Sequence, residues 1–372
     1  MEITPLPLKY TLQNPGSMGL NETHLNYPSN QRTDNLESSS IDNLLKNSLP
    51  ALGVDLGGTK IRAALVKEGR VVSEPRQIPT PTGADNIIEG IIELVRSFQA
   101  ECQQVTGVSP MGIAGVGIAT AGIVDCNSGD IIGSTGNLPG WTGTSLKRVI
   151  ETQILLPVHV DNDANAAAYG EASARGLMHS NCVCTVTLGT GIGGGLVING
   201  KMFRGAHWGG GEVGHMRLNL GNKRLCTCGL FDCWEAYGSG RGLVTTGRDI
   251  LAGLNADQTP LAKDPEALTT HAIVAAAKGG DIVAQRILHM WHEHIATGIA
   301  SLAHILDPDV FVVTGGLADC VDFPLLTEMV VDRVFPRIGD SLQLHKSELE
   351  GLAGIIGAAQ LVLDNLLDRI VA

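Results

Sequence analysis

The chain has 372 residues, of which 44% are hydrophobic, and a formal net charge of −12. It is long enough for two domains with a sizeable core, and its acidic balance argues against nucleic acid or an anionic membrane as a general partner. No run of 18 apolar residues and no basic-then-apolar N-terminus is present, so we predict neither a membrane span nor a secretory signal. We therefore predict a cytoplasmic protein whose eight cysteines are reduced thiols.

The first 48 residues differ from the rest of the chain. They are rich in Asn, Ser, Leu and Pro and show no apolar period, which predicts a disordered or regulatory extension with a short helix near "SIDNLLKNSL". From Ala51 onwards the pattern changes. "ALGVDLGG" and "KIRAALVKEGRVV" are typical of strands, and "NIIEGIIELVRSFQAEC" is typical of an amphipathic helix.

Strands and helices alternate through the rest of the chain. "MGIAGVGIATAGIVD" and "LPVHVDND" predict buried strands, and "ANAAAYGEASARG" predicts a helix that stops at Gly176. Further helices are predicted near 266–278, 281–306 and 354–370, with the strand "DVFVVTGG" before the last of them. An alternation of this kind indicates an α/β protein.

Two segments of the chain resemble each other. "VDLGGTKIRAALVKEGR" and "VTLGTGIGGGLVINGK" each combine a strand, a Gly-Thr turn and a second strand, and a third glycine pair follows the strand "FVVTGG". Repetition of one supersecondary unit predicts a duplicated fold, with a ligand held between the related halves.

The glycine turns are candidates for binding phosphate. "GTGIGG" at 189–194 matches the dinucleotide fingerprint formally, but a strand follows where that fold needs a helix, and no Walker A sequence is present. A Gly-Thr hairpin can still bring backbone N–H groups and a hydroxyl to phosphate oxygens, and a nearby carboxylate can reach Mg²⁺ directly or through water. The alternative is that the turns are only tight hairpins. The candidate nucleotide-binding residues are Asp55, Gly57, Gly58, Thr59, Lys60, Gly189, Thr190, Gly191, Gly315 and Gly316.

An acidic corner follows the strand "LPVHV". Asp161, Asn162 and Asp163 stand where this strand ends and a helix begins. Helix capping is the simplest explanation, but two carboxylates and an amide exceed what one cap needs. A carboxylate here can accept a proton from a substrate hydroxyl, and we expect the helix dipole to keep it ionised.

Four metal-ligating residues lie between two acids. His215, Cys226, Cys228 and Cys233 have the spacing His-x10-Cys-x-Cys-x4-Cys. A redox pair would need C-x-x-C, and a disulfide is disfavoured in a reducing compartment. Three thiolates and one imidazole complete a tetrahedral set for structural zinc, although cysteines scattered without a metal are the alternative.

The motifs "DLGGTK", "NLPGW", "VDNDANAAA", "LGTGIGGG", "GEVGH" and "CTCGLFDCWE", in this order, resemble the ROK family (repressor, open reading frame, kinase) of sugar kinases over about residues 50–370. The resemblance implies an α/β actin/hexokinase-like duplicated ATPase fold with two lobes and a cleft between them. The small lobe would cover 49–161 and be joined by the C-terminal helix 354–372. The large lobe would cover 162–353 and carry the zinc-binding loop.

The resemblance also implies roles for single residues. Asp163 corresponds to the catalytic base, and ATP, Mg²⁺ and a structural Zn²⁺ are the implied cofactors. The implied sugar contacts are Asn137, Asn162, Asp163, Glu212, His215 and Glu235, and the implied zinc ligands are His215, Cys226, Cys228 and Cys233. The sequence departs from the family pattern at Gly210, where Ala is usual, and at Asp232, where Gly is usual.

These features favour an ATP-dependent hexose kinase, with glucose as the first expectation. An N-acetylmannosamine or other amino-sugar kinase is the alternative enzyme. A sugar-responsive repressor is the alternative of another class, but residues 1–48 hold only three basic residues and no helix–turn–helix periodicity. A homo-oligomer, dimeric or tetrameric, is expected by analogy with the family.

Overall fold

Two β-sheets with the same strand order organise the described part of the chain, which is residues 49–106, 112–133 and 138–371 of the computed structural model. The strands are β1 (Ala51–Leu56), β2 (Lys60–Lys67), β3 (Arg70–Val71), β4 (Arg76–Pro79), β5 (Val116–Thr120), β6 (Ile123–Asp125), β7 (Asp130–Gly133), β8 (Val158–Asn162), β9 (Cys182–Leu188), β10 (Ile192–Ile198), β11 (Lys201–Phe203), β12 (Val310–Thr314) and β13 (Leu344–Lys346).

The described residues form ten α-helices, and five of them were predicted from the sequence. They are α1 (Ala84–Thr106), α2 (Leu146–Ile154), α3 (Asp163–Ala174), α4 (Glu235–Gly238), α5 (Gly240–Leu251), α6 (Thr270–Lys278), α7 (Ile282–Leu306), α8 (Phe323–Val331), α9 (Pro336–Ser341) and α10 (Ala353–Val371). Helix α3 ends as predicted, because Gly176 adopts the left-handed backbone (φ 69°) that a helix terminus favours. Among the described residues, no helix combines the length and the apolarity that a bilayer span requires.

The first sheet runs β3-β2-β1-β5-β8, with β4 also paired to β2, and the second runs β11-β10-β9-β12-β13. In each sheet an antiparallel hairpin (β1–β2, β9–β10) is extended on its first strand by parallel partners. The predicted duplication is therefore confirmed, and the two Gly-Thr turns occupy equivalent places in the two halves.

Helices α3 and α10 lie between the sheets. Helix α10 packs against β1 and β5, α3 packs against β9 and β10, and the two helices pack against each other. Glycines make this contact very close, because a Cβ at Gly357 would lie 1.7 Å from the carbonyl oxygen of Ala166, and one at Gly117 would lie 1.7 Å from that of Ala358. Backbone therefore meets backbone along α10 without intervening side chains.

Each half has its own apolar core. Strands β1, β5 and β8 with α1 and α2 enclose one cluster, and β9, β10 and β12 with α5, α7 and α8 enclose another. Both sheets fall within one compact unit, so the lobe boundaries at 161 and 353 stay a prediction. The predicted extension over residues 1–48 lies outside the described residues.

Candidate active site

The acidic corner stands at the end of β8 and the start of α3. Asn162 caps the helix, because its Oδ1 accepts hydrogen bonds from the N–H groups of Ala164 (2.8 Å) and Asn165 (3.1 Å). Its Nδ2 donates to the carbonyl oxygen of Gly122 at 2.9 Å. Both lone pairs of the amide oxygen are thus in use, and one N–H remains for a ligand.

Asp163 stands at the start of α3, and its side chain is exposed to the cleft. Desolvation, followed by the negative charge of Asp55, raises the pKa of Asp163 to about 6. The N–H of Ala164 (2.9 Å), at the start of the helix, lowers this pKa as expected, but less than the other two effects raise it. A carboxylate with such a pKa is a stronger base than an ordinary Asp and remains mostly ionised at pH 7.

Asp161 holds the corner from behind. It is buried and accepts two hydrogen bonds from the guanidinium of Arg204, at 2.9 and 2.5 Å. Its other oxygen accepts from Asn162 N–H (2.8 Å) and from Asn165 Nδ2 (3.1 Å). Burial alone would raise the pKa of Asp161, but His159 and Arg204 together hold this pKa well below its usual range. The carboxylate is therefore a fixed anion that orients the next two residues of the chain.

Two cavities meet at Asp163. The first, of about 620 Å³, lies against the glycine turn that follows β12 and the start of α10. The second, of about 530 Å³, lies against the turn that follows β9 and the segment before the Cys/His cluster. The residues that line both are Asp163, Ala164, Thr187 and Gly315. Asp163 is the only carboxylate among them, so it is positioned to act between two ligands.

The predicted nucleotide-binding residues divide into two groups. Asp55, Gly315 and Gly316 line the first cavity, and Gly189, Gly191 and Gly315 line the second. Only glycine fits at position 315, because the backbone is left-handed (φ 96°) and a Cβ would lie 2.4 Å from the carbonyl oxygen of Leu188. The turn residues Gly58, Thr59, Lys60 and Thr190 are exposed, and these four and Gly57 line neither cavity. Asp55 pairs with Arg62 across the β1–β2 hairpin at 2.5 Å.

The four candidate metal ligands come together. Their ligand atoms all lie within 4.8 Å of one another. Nδ1 of His215 is 3.7 Å from Sγ of Cys226, and Sγ of Cys228 is 3.7 Å from Sγ of Cys233. A tetrahedral zinc with Zn–S bonds of about 2.3 Å separates its sulfur ligands by about 3.8 Å. The donor set and its spacing therefore fit zinc.

The acids beside this cluster face the second cavity. Glu212, His215 and Glu235 all line it, and Nε2 of His215 is 3.8 Å from Oε2 of Glu212. Glu235 is buried and already accepts hydrogen bonds from Thr227 Oγ1 (2.6 Å) and Ile192 N–H (3.1 Å). Its carboxylate is thereby fixed against both the cluster loop and the turn before β10.

Both departures from the family pattern have a local explanation. Asp232 adopts the left-handed backbone (φ 61°) that glycine favours, and its carboxylate accepts from the N–H groups of Lys223 and Arg224 and from the hydroxyl of Tyr237. These bonds stabilise the conformation that a glycine would adopt freely. At Gly210, a Cβ would lie 2.6 Å from the carbonyl carbon of Arg204, so this tight loop has no space for Ala.

Several residues of the site lack a local signal in the sequence. Four such residues line a cavity or bond to the acidic corner: Arg62, Arg204, Trp208 and Lys346. Each is brought to the site by strand pairing or by packing between distant segments. Of these four, only Arg62 could have been inferred from the sequence, because it is directly opposite Asp55 in the register of the β1–β2 hairpin. The predicted sugar contact Asn137 lies outside the described residues.

Comparison with known proteins is consistent with this geometry. Residues 51–365 match the model of the ROK family. A glucokinase of Streptomyces coelicolor is 34% identical over 329 residues, covering 83% of this chain and 96% of that protein. The structure of a ROK family glucokinase from Streptomyces griseus, in complex with glucose and AMPPNP, has a TM-score of 0.66 and 33% identity, covering 84% of this chain and 98% of that one.

A regulator is also similar. The xylose repressor of Bacillus spizizenii is 26% identical over 321 residues, covering 86% of this chain and 78% of that protein. Similarity to kinases and regulators alike is what the family description implies. The actin/hexokinase-like fold is confirmed by the neighbouring structure and by the two matching sheets. The family model spans most of the chain, and this chain belongs to the ROK family.

Proposed function

We propose that the protein is an ATP-dependent hexose kinase that converts glucose to glucose 6-phosphate. The observation that carries this proposal is the position of Asp163, the one carboxylate of the described residues that lines both cavities. A phosphoryl donor in one cavity and a hydroxyl acceptor in the other would meet beside it. The glucokinase relatives supply the substrate expectation.

The second cavity suits a sugar. Glu212 and Glu235 offer carboxylate oxygens, His215 offers a ring nitrogen, and Asn162 offers one free N–H. Sugar hydroxyls donate and accept, and hydrogen bonds to carboxylates are the strong ones. The second cavity is therefore the acceptor site in this proposal.

The first cavity suits a nucleoside triphosphate. Its lining combines the glycines after β12 with two cationic side chains, Arg62 and Lys346, paired to Asp55 and Asp319 respectively. Backbone N–H groups at glycine turns and cations stabilise phosphate oxygens. Asp55 would hold Mg²⁺ directly or through water, and the ion would neutralise charge on the phosphates.

The chemistry follows from these positions. The oxygen of the sugar hydroxyl attacks the γ-phosphorus as the bond to the ADP oxygen breaks, and the hydroxyl proton passes to Asp163. A pKa of about 6 leaves that carboxylate mostly ionised at pH 7 and still basic enough to accept the proton. Positioning supplies most of the remaining rate enhancement, because the protein only has to align the two substrates and exclude water.

We propose structural zinc at His215, Cys226, Cys228 and Cys233. With four protein ligands the site has no open position, so the metal would fix the loop rather than take part in the reaction. Glu235 follows Cys233 by two residues and Glu212 precedes His215 by three. Fixing the cluster therefore fixes both acids of the acceptor site.

A substrate panel tests the proposal. The purified protein is assayed with ATP and glucose, mannose, N-acetylglucosamine and N-acetylmannosamine, and we expect glucose to give the highest kcat/KM. A preference for N-acetylmannosamine would establish the alternative enzyme. Inactivity on every sugar, together with tight sequence-specific DNA binding in a gel-shift assay, would establish a repressor instead.

A further inference from the structure

One aromatic side chain crosses from the second half of the molecule to the first. Trp208 lies in the loop that follows β11, and it is half-buried against the apolar cluster of the first half, which strands β1, β5 and β8 build. It also lines the second cavity, where Ile123, Gly133 and Glu212 are among its neighbours in the wall. Trp208 is therefore both a wall of this cavity and a bridge between the halves.

The backbone at Trp208 is unusual. Its φ of 65° lies in the left-handed region, which a bulky side chain adopts at a cost of about 1–2 kcal/mol per residue. The loop around it is glycine-rich, and Gly205 and Gly211 also have positive φ values. A strained aromatic residue persists only where its surroundings hold it, and such positions are concentrated at binding sites.

Both ends of the loop are tied to the site. Arg204 binds Asp161 behind the catalytic corner, and its carbonyl oxygen accepts from the N–H of Gly210 at 2.9 Å. At the other end, Glu212 and His215 belong to the proposed acceptor site and the Cys/His cluster. The indole is thus held at the tip of a short loop whose two ends are fixed.

We propose that Trp208 is a sugar-binding residue, whose indole covers the acceptor and reports its presence. This proposal rests on the proposed hexose kinase function. A pyranose presents C–H groups on its faces and hydroxyls around its edge. The carboxylates and His215 meet the edge, and an aromatic side chain is the apolar surface that a face requires. By bridging the halves, Trp208 also shields the reacting hydroxyl from water.

Fluorescence provides a direct test. The chain has four tryptophans, and Trp141, Trp234 and Trp291 are fully buried, so quenching by acrylamide reports Trp208. We expect glucose to reduce this quenching in the wild-type protein, and Trp208→Phe to remove both the accessible emission and the response. Glucose binding that is detected by calorimetry without any change in quenching would overturn the proposal.

Kinetics provide the second readout. Trp208→Gly relieves the backbone strain and deletes the indole, so we expect the KM for the hexose to rise about ten-fold, which is the effect of one good aromatic contact, with the KM for ATP unchanged. Phe203→Ala removes an exposed aromatic side chain from β11 that lines neither cavity, and it should leave both constants unchanged.

The two proposals fail in different ways. An active wild-type enzyme whose hexose KM is unaltered by Trp208→Gly would refute the role of Trp208 alone. A wild-type protein that phosphorylates no sugar would refute the proposed function and this assignment with it. Circular dichroism of each variant confirms that it is folded before its constants are compared.

Discussion

Replacing Asp163 by Asn tests the catalytic assignment most directly. The change removes the proton acceptor but keeps the shape of the side chain and its place at the start of α3. General-base catalysis contributes about 10²–10⁴-fold, so we expect kcat to fall by that factor while glucose binding stays measurable by calorimetry. Asp85→Asn, at an exposed position in the first turn of α1, is the matched control and should have full activity.

The pH dependence of the wild-type enzyme follows from the same group. With a pKa of about 6 for Asp163, about nine-tenths of the carboxylates are ionised at pH 7, about half at pH 6 and about one-tenth at pH 5. Because this is the pKa of the free enzyme, the measured kcat/KM should level off above pH 7 and fall towards ten-fold per pH unit below pH 6. A kcat/KM that stays flat down to pH 4.5 would contradict the raised pKa.

Stability should change in the opposite direction to activity. A folded-state pKa above the unfolded value of about 3.9 means that the folded protein loses stability as pH rises from about 4 to 6, because partial desolvation and the charge of Asp55 disfavour the ionised form in the folded protein. We expect Asp163→Asn to raise Tm at pH 7.5 and to leave it unchanged near pH 3.5. Retained turnover by this variant would refute the reasoning, whatever its Tm.

The remaining predictions concern the Cys/His cluster and the packing behind it. Metal analysis of the wild-type protein should find about one zinc per chain. The Cys226→Ser variant should hold little zinc, whereas the control variant Cys102→Ser, in α1, should keep the wild-type content. An active wild-type protein without metal would refute the site. Gly298→Ala should lower the free energy of unfolding by about 1–3 kcal/mol, because its Cβ would lie 2.0 Å from the indole of Trp234. A Cβ at Gly253 would have no heavy atom within 4 Å, so Gly253→Ala is the control in the same denaturation experiment. Equal free energies of unfolding for the two variants would contradict the expected clash and show that α7 moves aside.

The sequence predicted most of the secondary structure and the duplication, because both depend on short-range patterns. Apolar spacing identified α1, the glycine at 176 marked the end of α3, and the repeat of a Gly-Thr hairpin predicted a duplicated fold, which the two sheets of equal strand order confirm. The proximity of His215, Cys226, Cys228 and Cys233 was also predictable, since metal sites impose a characteristic set of residue types; zinc binding by them stays a prediction.

Other parts of the site depend on contacts between distant segments. The pKa of Asp163 depends on the charge of Asp55 in β1, more than a hundred residues earlier in the chain, and the local helix pattern could not indicate that contribution. Arg204 reaches Asp161 across the two halves, and Trp208 packs on a core made by residues far earlier in the chain. No periodicity or spacing encodes such pairs, because their proximity exists only after both sheets have formed.

The position of α10 has a consequence for how the protein is made. This helix contacts β1 and β5 through backbone-to-backbone packing, yet it is synthesised after every strand of both sheets. During translation, the first sheet therefore emerges with the surface meant for α10 uncovered, and it stays so until the residues from Ala353 onwards leave the ribosome. An uncovered sheet surface is prone to aggregation, so the last nineteen-residue helix completes the protection of a sheet whose strands were made first.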